Sequence, residues 1–246
     1  MLVHGNSSSA KAFARQIDGP LGGRHRLIGI DLPGHGASGN ALDARVYCLP
    51  GYAKVLLTVA ETLGLGAATF AGGSLGGHIL LEAAPDLASA RGLMIFGTPP
   101  LAYPPAMEQA FLPGPAMEVG FSAEVTREQA EAFVATLFAP GFKDIPGFFY
   151  EDFVRTDGRA RAQLATGIVP GGYRDEISVV AGLKTPLAIV QGAKDQLVNR
   201  AYFERLKAPT LWRGAVQVLG AAGHSVQWET PGEFDALIEA FVAETG

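Results

Sequence analysis

The chain has 246 residues, 48% of them hydrophobic and 17% charged, which is enough apolar material for a full α/β core and too much for a disordered chain. A net charge of -5 with no run of Lys or Arg excludes the electrostatic footprint of a nucleic-acid or anionic-membrane binder, so a small molecule is the expected partner. The single cysteine, Cys48, rules out an internal disulfide framework, and no C-x-x-C or clustered His/Cys spacing points to zinc, so neither a metal nor a cofactor is expected.

The opening Met1-Leu2-Val3 reads as the end of a strand running into His4-Gly5-Asn6 and three serines. It has no charged region and apolar segment of signal-peptide type, and no apolar run of membrane-spanning length follows, so a cytoplasmic location is the expectation. A helix is predicted from Ala10 to Ile17 and a second apolar strand from Arg26 to Ile30. The segment Asp31 to Ser38 is a loop, because its Pro and Gly punctuation forbids regular structure. Val55, Leu56, Val59 and Leu63 share one face of a helix over 51–63, ended by Gly64. A buried strand then leads to Ser74 and a helix, followed by the apolar strand Gly92 to Phe96.

Strands alternating with helices predict a parallel sheet with right-handed crossovers. The rhythm breaks after Thr98, where four proline sites punctuate a stretch that carries eight of the fourteen phenylalanines. This stretch, residues 98–175, reads as a helical lid inserted into a core made of 1–97 and 176–246, with helices near Ala123 to Phe138 and Phe148 to Thr156. Regular order returns with a strand at Pro186 to Val190, a helix near Arg200 to Lys207, a strand at Val216 to Leu219 and a last helix. That helix has the letters of a capping box: Thr230 at N-cap, Pro231 at N1 and Glu233 at N3.

Gly72, Ser74 and Gly76 fit G-x-S-x-G, the strand-turn-helix that exposes a serine hydroxyl above a sheet, with glycines where strand and helix pass too closely for side chains. A serine hydroxyl attacks only when an imidazole takes its proton and a carboxylate fixes and stabilises that imidazole. His224, just beyond the last strand, is the best base. His4, His25, His35 and His78 read instead as structural or solvated histidines. Asp195 follows the strand before, and the order Ser, Asp, His is that of the hydrolase architecture. The amides of Leu75 and Asn6 are the candidate oxyanion donors, although Asn6 and the serines after it could equally cap the next helix.

Taken together, His4-Gly5, Asp31 to Ser38, the Ser74 turn, Asp195 and His224 resemble the α/β-hydrolase superfamily over nearly the whole chain. More narrowly, His4 to Ser9, Ser74 to Ile79, Arg91 to Met94, Gly97 to Pro100, Arg155 to Arg161 and Gly223-His224 are similar to the serine-dependent N-acyl-homoserine lactone hydrolases, the quorum-quenching lactonases. The resemblance implies an α/β-hydrolase fold with a mostly parallel sheet of about six strands that lacks the usual N-terminal hairpin. It also implies a metal-independent serine hydrolase with Ser74 as nucleophile, His224 as base and Asp195 where the family carries Glu. Phe133 stands where the lactonases have a lid tyrosine, and Gly73 where a bulkier residue precedes the nucleophile. Ester cleavage is therefore the broader expectation and lactone ring opening the narrower one. Phe133, Phe138 and the other aromatics of the insertion offer an apolar wall for an acyl chain. General carboxylesterase, carbon–carbon bond hydrolase, perhydrolase and a catalytically silent binding protein are the alternatives, since a fold alone does not choose a reaction.

Overall fold

The computed structural model describes residues 1–246. Its six strands, β1 (Leu2–Val3), β2 (Gly29–Ile30), β3 (Thr69–Gly73), β4 (Gly92–Phe96), β5 (Leu187–Gly192) and β6 (Gln217–Leu219), form one open sheet in the order β2-β1-β3-β4-β5-β6, with every pair parallel. The expected six-stranded α/β-hydrolase sheet is therefore present. The central strands are mostly apolar because both faces are covered, as parallel sheets require. Alternate side chains go to opposite faces: Leu93, Ile95, Leu187 and Ile189 join the larger buried cluster, and Met94, Phe96, Ala188 and Val190 the smaller one.

The helices are α1 (Ala14–Ile17), α2 (Pro20–Arg24), α3 (Leu49–Thr62), α4 (Leu75–Ala83), α5 (Met107–Ala110), α6 (Ala116–Gly120), α7 (Arg127–Thr136), α8 (Gly147–Arg155), α9 (Gly158–Gly167), α10 (Glu176–Gly182), α11 (Val226–Glu229) and α12 (Pro231–Thr245). Helices α3 and α4 pack on one face of the sheet, and α1 and α12 on the other, where Phe13, Phe234 and Phe241 are completely buried. Helices α5 to α10 all lie between β4 and β5. None of the helices is long and apolar enough to cross a membrane.

Several elements depart from expectation for local reasons. The predicted helix over 10–17 is a 3-10 turn, Ala10–Phe13, followed by α1, and Arg200–Arg205 is also 3-10. The strand predicted over 26–30 shrinks to Gly29–Ile30, since β1 offers it only Leu2 and Val3 as partners. The Thr230 capping box does not form. Helix α11 runs straight into α12 there, and the Thr230 hydroxyl donates to the α11 carbonyl of Val226 at 3.2 Å instead of capping α12.

A capping box does open α7, four residues later than the predicted start. Thr126 Oγ1 accepts from the Gln129 amide at 3.2 Å, and Gln129 Oε1 accepts from the Thr126 amide at 2.8 Å. Thr126→Ala should cost about 1 kcal/mol in chemical denaturation.

Candidate active site

Ser74 sits at the junction of β3 and α4 with φ 51° and ψ -120°, a conformation that L side chains rarely adopt. The strand-turn-helix holds it there because nothing larger than glycine fits beside it. A Cβ on Gly72 would lie 2.4 Å from the Gly76 carbonyl oxygen, and one on Gly76 would lie 2.2 Å from that of Val3. At Gly73 a Cβ would meet the Phe96 ring at 2.3 Å, so a β4 side chain fills the space that a bulkier neighbour of the serine would need. The end of β4 braces the turn as well: the Ser74 amide donates to Phe96 O at 2.9 Å, and Thr98 Oγ1 donates to Ser74 O at 3.0 Å.

Asp195 and His224 come from the loops after β5 and β6 and meet across them. His224 Nδ1 donates to Asp195 Oδ2 at 2.8 Å. The rest of the carboxylate is also occupied: Oδ2 accepts from Gln191 Nε2 at 2.7 Å, and Oδ1 accepts from the amides of Leu197 at 2.8 Å and Val198 at 3.2 Å. Burial pulls the His224 pKa down, but the adjacent Asp195 charge and its hydrogen bond, with Glu229 beyond, outweigh burial and hold it above the ordinary 6.5. For Asp195 burial pushes upward, yet the imidazole and the two backbone amides win and hold it below the ordinary 3.8. The other ring nitrogen, Nε2, is buried and has no protein partner. With Nδ1 protonated, that nitrogen carries a free lone pair.

Gly97 closes the site from β4. It has φ +56°, and a Cβ there would lie 2.8 Å from His224 Cε1. Gly97→Ala should therefore shift the imidazole and lower stability by about 1 to 2 kcal/mol, which thermal melting checks.

One cavity takes in Ser74 and His224 on its floor and Met107, Phe121, Phe133, Phe149 and Leu164 from α5 to α9 and their connections on its walls. Asn6 and Leu75 line it as well. Leu75 is the first residue of α4, so its amide has no intrahelical acceptor. The Asn6 side chain turns away to Gly120 O at 2.7 Å, and Ser9 rather than Asn6 caps the following turn. Phe133 is on the cavity wall, whereas Phe138 is fully buried against Phe142 and Phe149 and does not line it.

Of the other histidines, His4 and His35 are buried, and burial pushes them to about 4 and about 3. His4 Nε2 accepts the Leu32 amide while Nδ1 meets Gly5 O, a neutral ring pinning the first loop. His25 is partly exposed, 3.9 Å from Glu239. His78 lines the cavity, with Nδ1 held by the fully buried Glu176 carboxylate at 2.9 Å. That pairing was invisible in sequence, as 98 residues separate the partners.

The alpha/beta hydrolase family model matches residues 1–237. Among solved structures, the N-acyl homoserine lactonase AidH complexed with N-butanoyl homoserine is 35% identical and superposes with a TM-score of 0.94, covering 99% of this chain and 88% of that one. The dihydrolipoyllysine-residue acetyltransferase component of the acetoin cleaving system of Cupriavidus necator is 26% identical over 97% of this chain, which spans only 62% of that protein's length. The 2-hydroxy-6-oxononadienedioate/2-hydroxy-6-oxononatrienedioate hydrolase of Burkholderia vietnamiensis is 24% identical over 98% of this chain and 86% of its own length.

Proposed function

The chain belongs to the alpha/beta hydrolase family, and on that basis we propose that it is a serine hydrolase of carboxylic esters and lactones whose substrates are N-acyl-homoserine lactones. One observation carries the reading: an imidazole backed by a buried carboxylate, its Nε2 unpartnered, lines the same apolar cavity as a serine on a strained turn. The substrate class is supported by the similarity to a homoserine lactonase along nearly the whole chain.

In this mechanism Ser74 Oγ attacks the carbonyl carbon and gives its proton to His224 Nε2. The amides of Leu75 and Asn6 hold the resulting oxyanion, each donor being worth about 3 to 4 kcal/mol in such sites. As the tetrahedral intermediate collapses, His224 returns the proton to the leaving oxygen and an acyl-serine remains. In a lactone that alcohol stays tethered and can close the ring again, so water must reach the acyl-enzyme. His224 then takes a proton from the attacking water and passes it to Ser74 Oγ as the second tetrahedral intermediate collapses, which releases the acid and restores the free serine. Residues 98–175 act as the lid over this site, and Phe121, Phe133 and Phe149 supply the wall for the acyl chain. Phe133 cannot hydrogen-bond a lactone, so in this reading the chain relies on other polar groups of the cavity to orient the ring.

A second reading, hydrolysis of a carbon–carbon bond in a vinylogous diketone, is favoured by the full-length likeness to the Burkholderia hydrolase. Competition between acyl-homoserine lactones, p-nitrophenyl esters and such diketones separates the two, with ring opening followed by pH drift or mass spectrometry. Preference for the diketone would overturn the lactonase reading, and ester turnover that survives unchanged in Ser74→Ala would overturn the serine mechanism.

A further inference from the structure

The Arg155 to Arg161 block has no part in the mechanism above, yet its last residue reaches the loop that carries Asn6. Arg161, on α9, is 3% exposed. Its Nε donates to Ser122 O at 2.8 Å, Nη2 to Ala123 O at 3.2 Å, and Nη1 to both Phe153 O at 3.1 Å and Ser7 Oγ at 3.4 Å. The guanidinium lies 4.7 Å from the Phe153 ring centroid, and it has no carboxylate within ion-pairing distance. Burying a cation this way is costly unless oxygen atoms surround it, and all but one of its oxygen contacts are to backbone carbonyls. The exception is Ser7.

Ser7 has φ 54°, one of only three non-glycine residues with positive φ in the chain, Ser74 being another. Its hydroxyl donates to Asn6 Oδ1 at 3.2 Å, which leaves its lone pairs to accept from Arg161. Asn6 Nδ2 in turn donates to Gly120 O at 2.7 Å. The polar path Arg161, Ser7, Asn6, Gly120 thus begins and ends in the insertion between β4 and β5 and passes through the loop after β1. Ser9 adds a further tie, donating to Asp152 Oδ2 at 2.5 Å.

We infer that Arg161 is a positioning residue for the oxyanion loop, holding the Asn6 to Ser7 backbone through the Ser7 hydroxyl so that the insertion completes the oxyanion site. The inference rests on the reading above, in which the Asn6 amide holds the oxyanion. A residue in this role alters the transition state and leaves ground-state binding alone, which separates it from a residue that merely holds α9 to its neighbours.

The test compares Ser7→Ala, Arg161→Met, Arg161→Lys and the Ser7→Ala/Arg161→Met double variant, using p-nitrophenyl butyrate and an alkyl trifluoromethyl ketone, whose serine adduct carries an oxyanion. Ser7→Ala should lower kcat about 10-fold and weaken the ketone by a similar factor, with KM within about twofold. Arg161→Lys should recover part of what Arg161→Met loses, and the double variant should be no worse than its weaker parent. Wild-type kcat and ketone affinity in Ser7→Ala would overturn the inference, and so would single losses that multiply independently. If Arg161→Met does not fold, Ser7→Ala decides alone. Turnover that is abolished by Ser74→Ala but untouched by Ser7→Ala removes only this inference, whereas wild-type turnover independent of Ser74 removes the serine mechanism and this inference with it.

Discussion

Ser74→Ala is expected to lower kcat for p-nitrophenyl esters and acyl-homoserine lactones by about 10⁴-fold or more, the scale on which serine hydrolases lose rate without their nucleophile. What survives should be the contribution of the oxyanion donors and of substrate binding, roughly 10³ over water. The variant also reports on the turn. Alanine inherits φ 51° and ψ -120°, so the strain remains and the melting temperature should hold. Ser74→Gly should lose kcat equally and melt no lower than wild type, because glycine takes that conformation freely. A fluorophosphonate probe should label the wild type at Ser74 and neither variant. A fall of less than about tenfold would mean that His224 activates water directly and that the serine is not the attacker.

The legible parts of this protein were those governed by local rules. The strand-turn-helix at Ser74 announces itself because three residues within five letters answer to one steric demand, and the spacings around Gly72 and Gly76 show that demand at work. The central strands were readable because burial on both faces leaves a short, mostly apolar run, whereas β2, an edge strand of two residues, owes its length to its partner and not to its own composition. The insertion was readable as an interruption, and the helices predicted over 123–138 and 148–156 stand as α7 and α8, but α5, α6, α9 and α10 were not legible. Helix α9 is rich in Arg, Gly and Ala, and it forms where Asp157 caps its first turn and where the close approach of Gly158 to Ala123 O admits no side chain. Asp195 and His224 could be placed at one sheet edge by strand counting, since a parallel sheet delivers every loop after a strand to the same end. Nothing local could place His78 against Glu176 or Arg161 against Ser7, because these contacts join segments about a hundred or more residues apart, whereas Gln191, at the end of β5, meets Asp195 only four residues further on.

That last contact gives the second large effect its direction. Asp195→Asn should lower kcat by about 10⁴-fold through the wrong imidazole tautomer. The backbone amides of Leu197 and Val198 hold the oxygen at the Oδ1 position, so the new amide nitrogen must take the place of Oδ2. Gln191 can turn to accept from it, as its own Oε1 is buried without a partner. His224 Nδ1 then faces a donor and must become the acceptor, which moves the ring proton to Nε2, where it blocks proton transfer from Ser74. The pH profile separates this from simple loss of charge. In the wild type the base works only when neutral, so kcat/KM should rise with pH through a midpoint above the ordinary 6.5 that Asp195 raises. In the variant that raising cause is gone while burial still disfavours the cation, so the rising limb should move to lower pH even as the plateau drops. An unchanged limb, or a plateau within about tenfold of wild type, would show that the Asp195 contact does not govern the imidazole that does the chemistry.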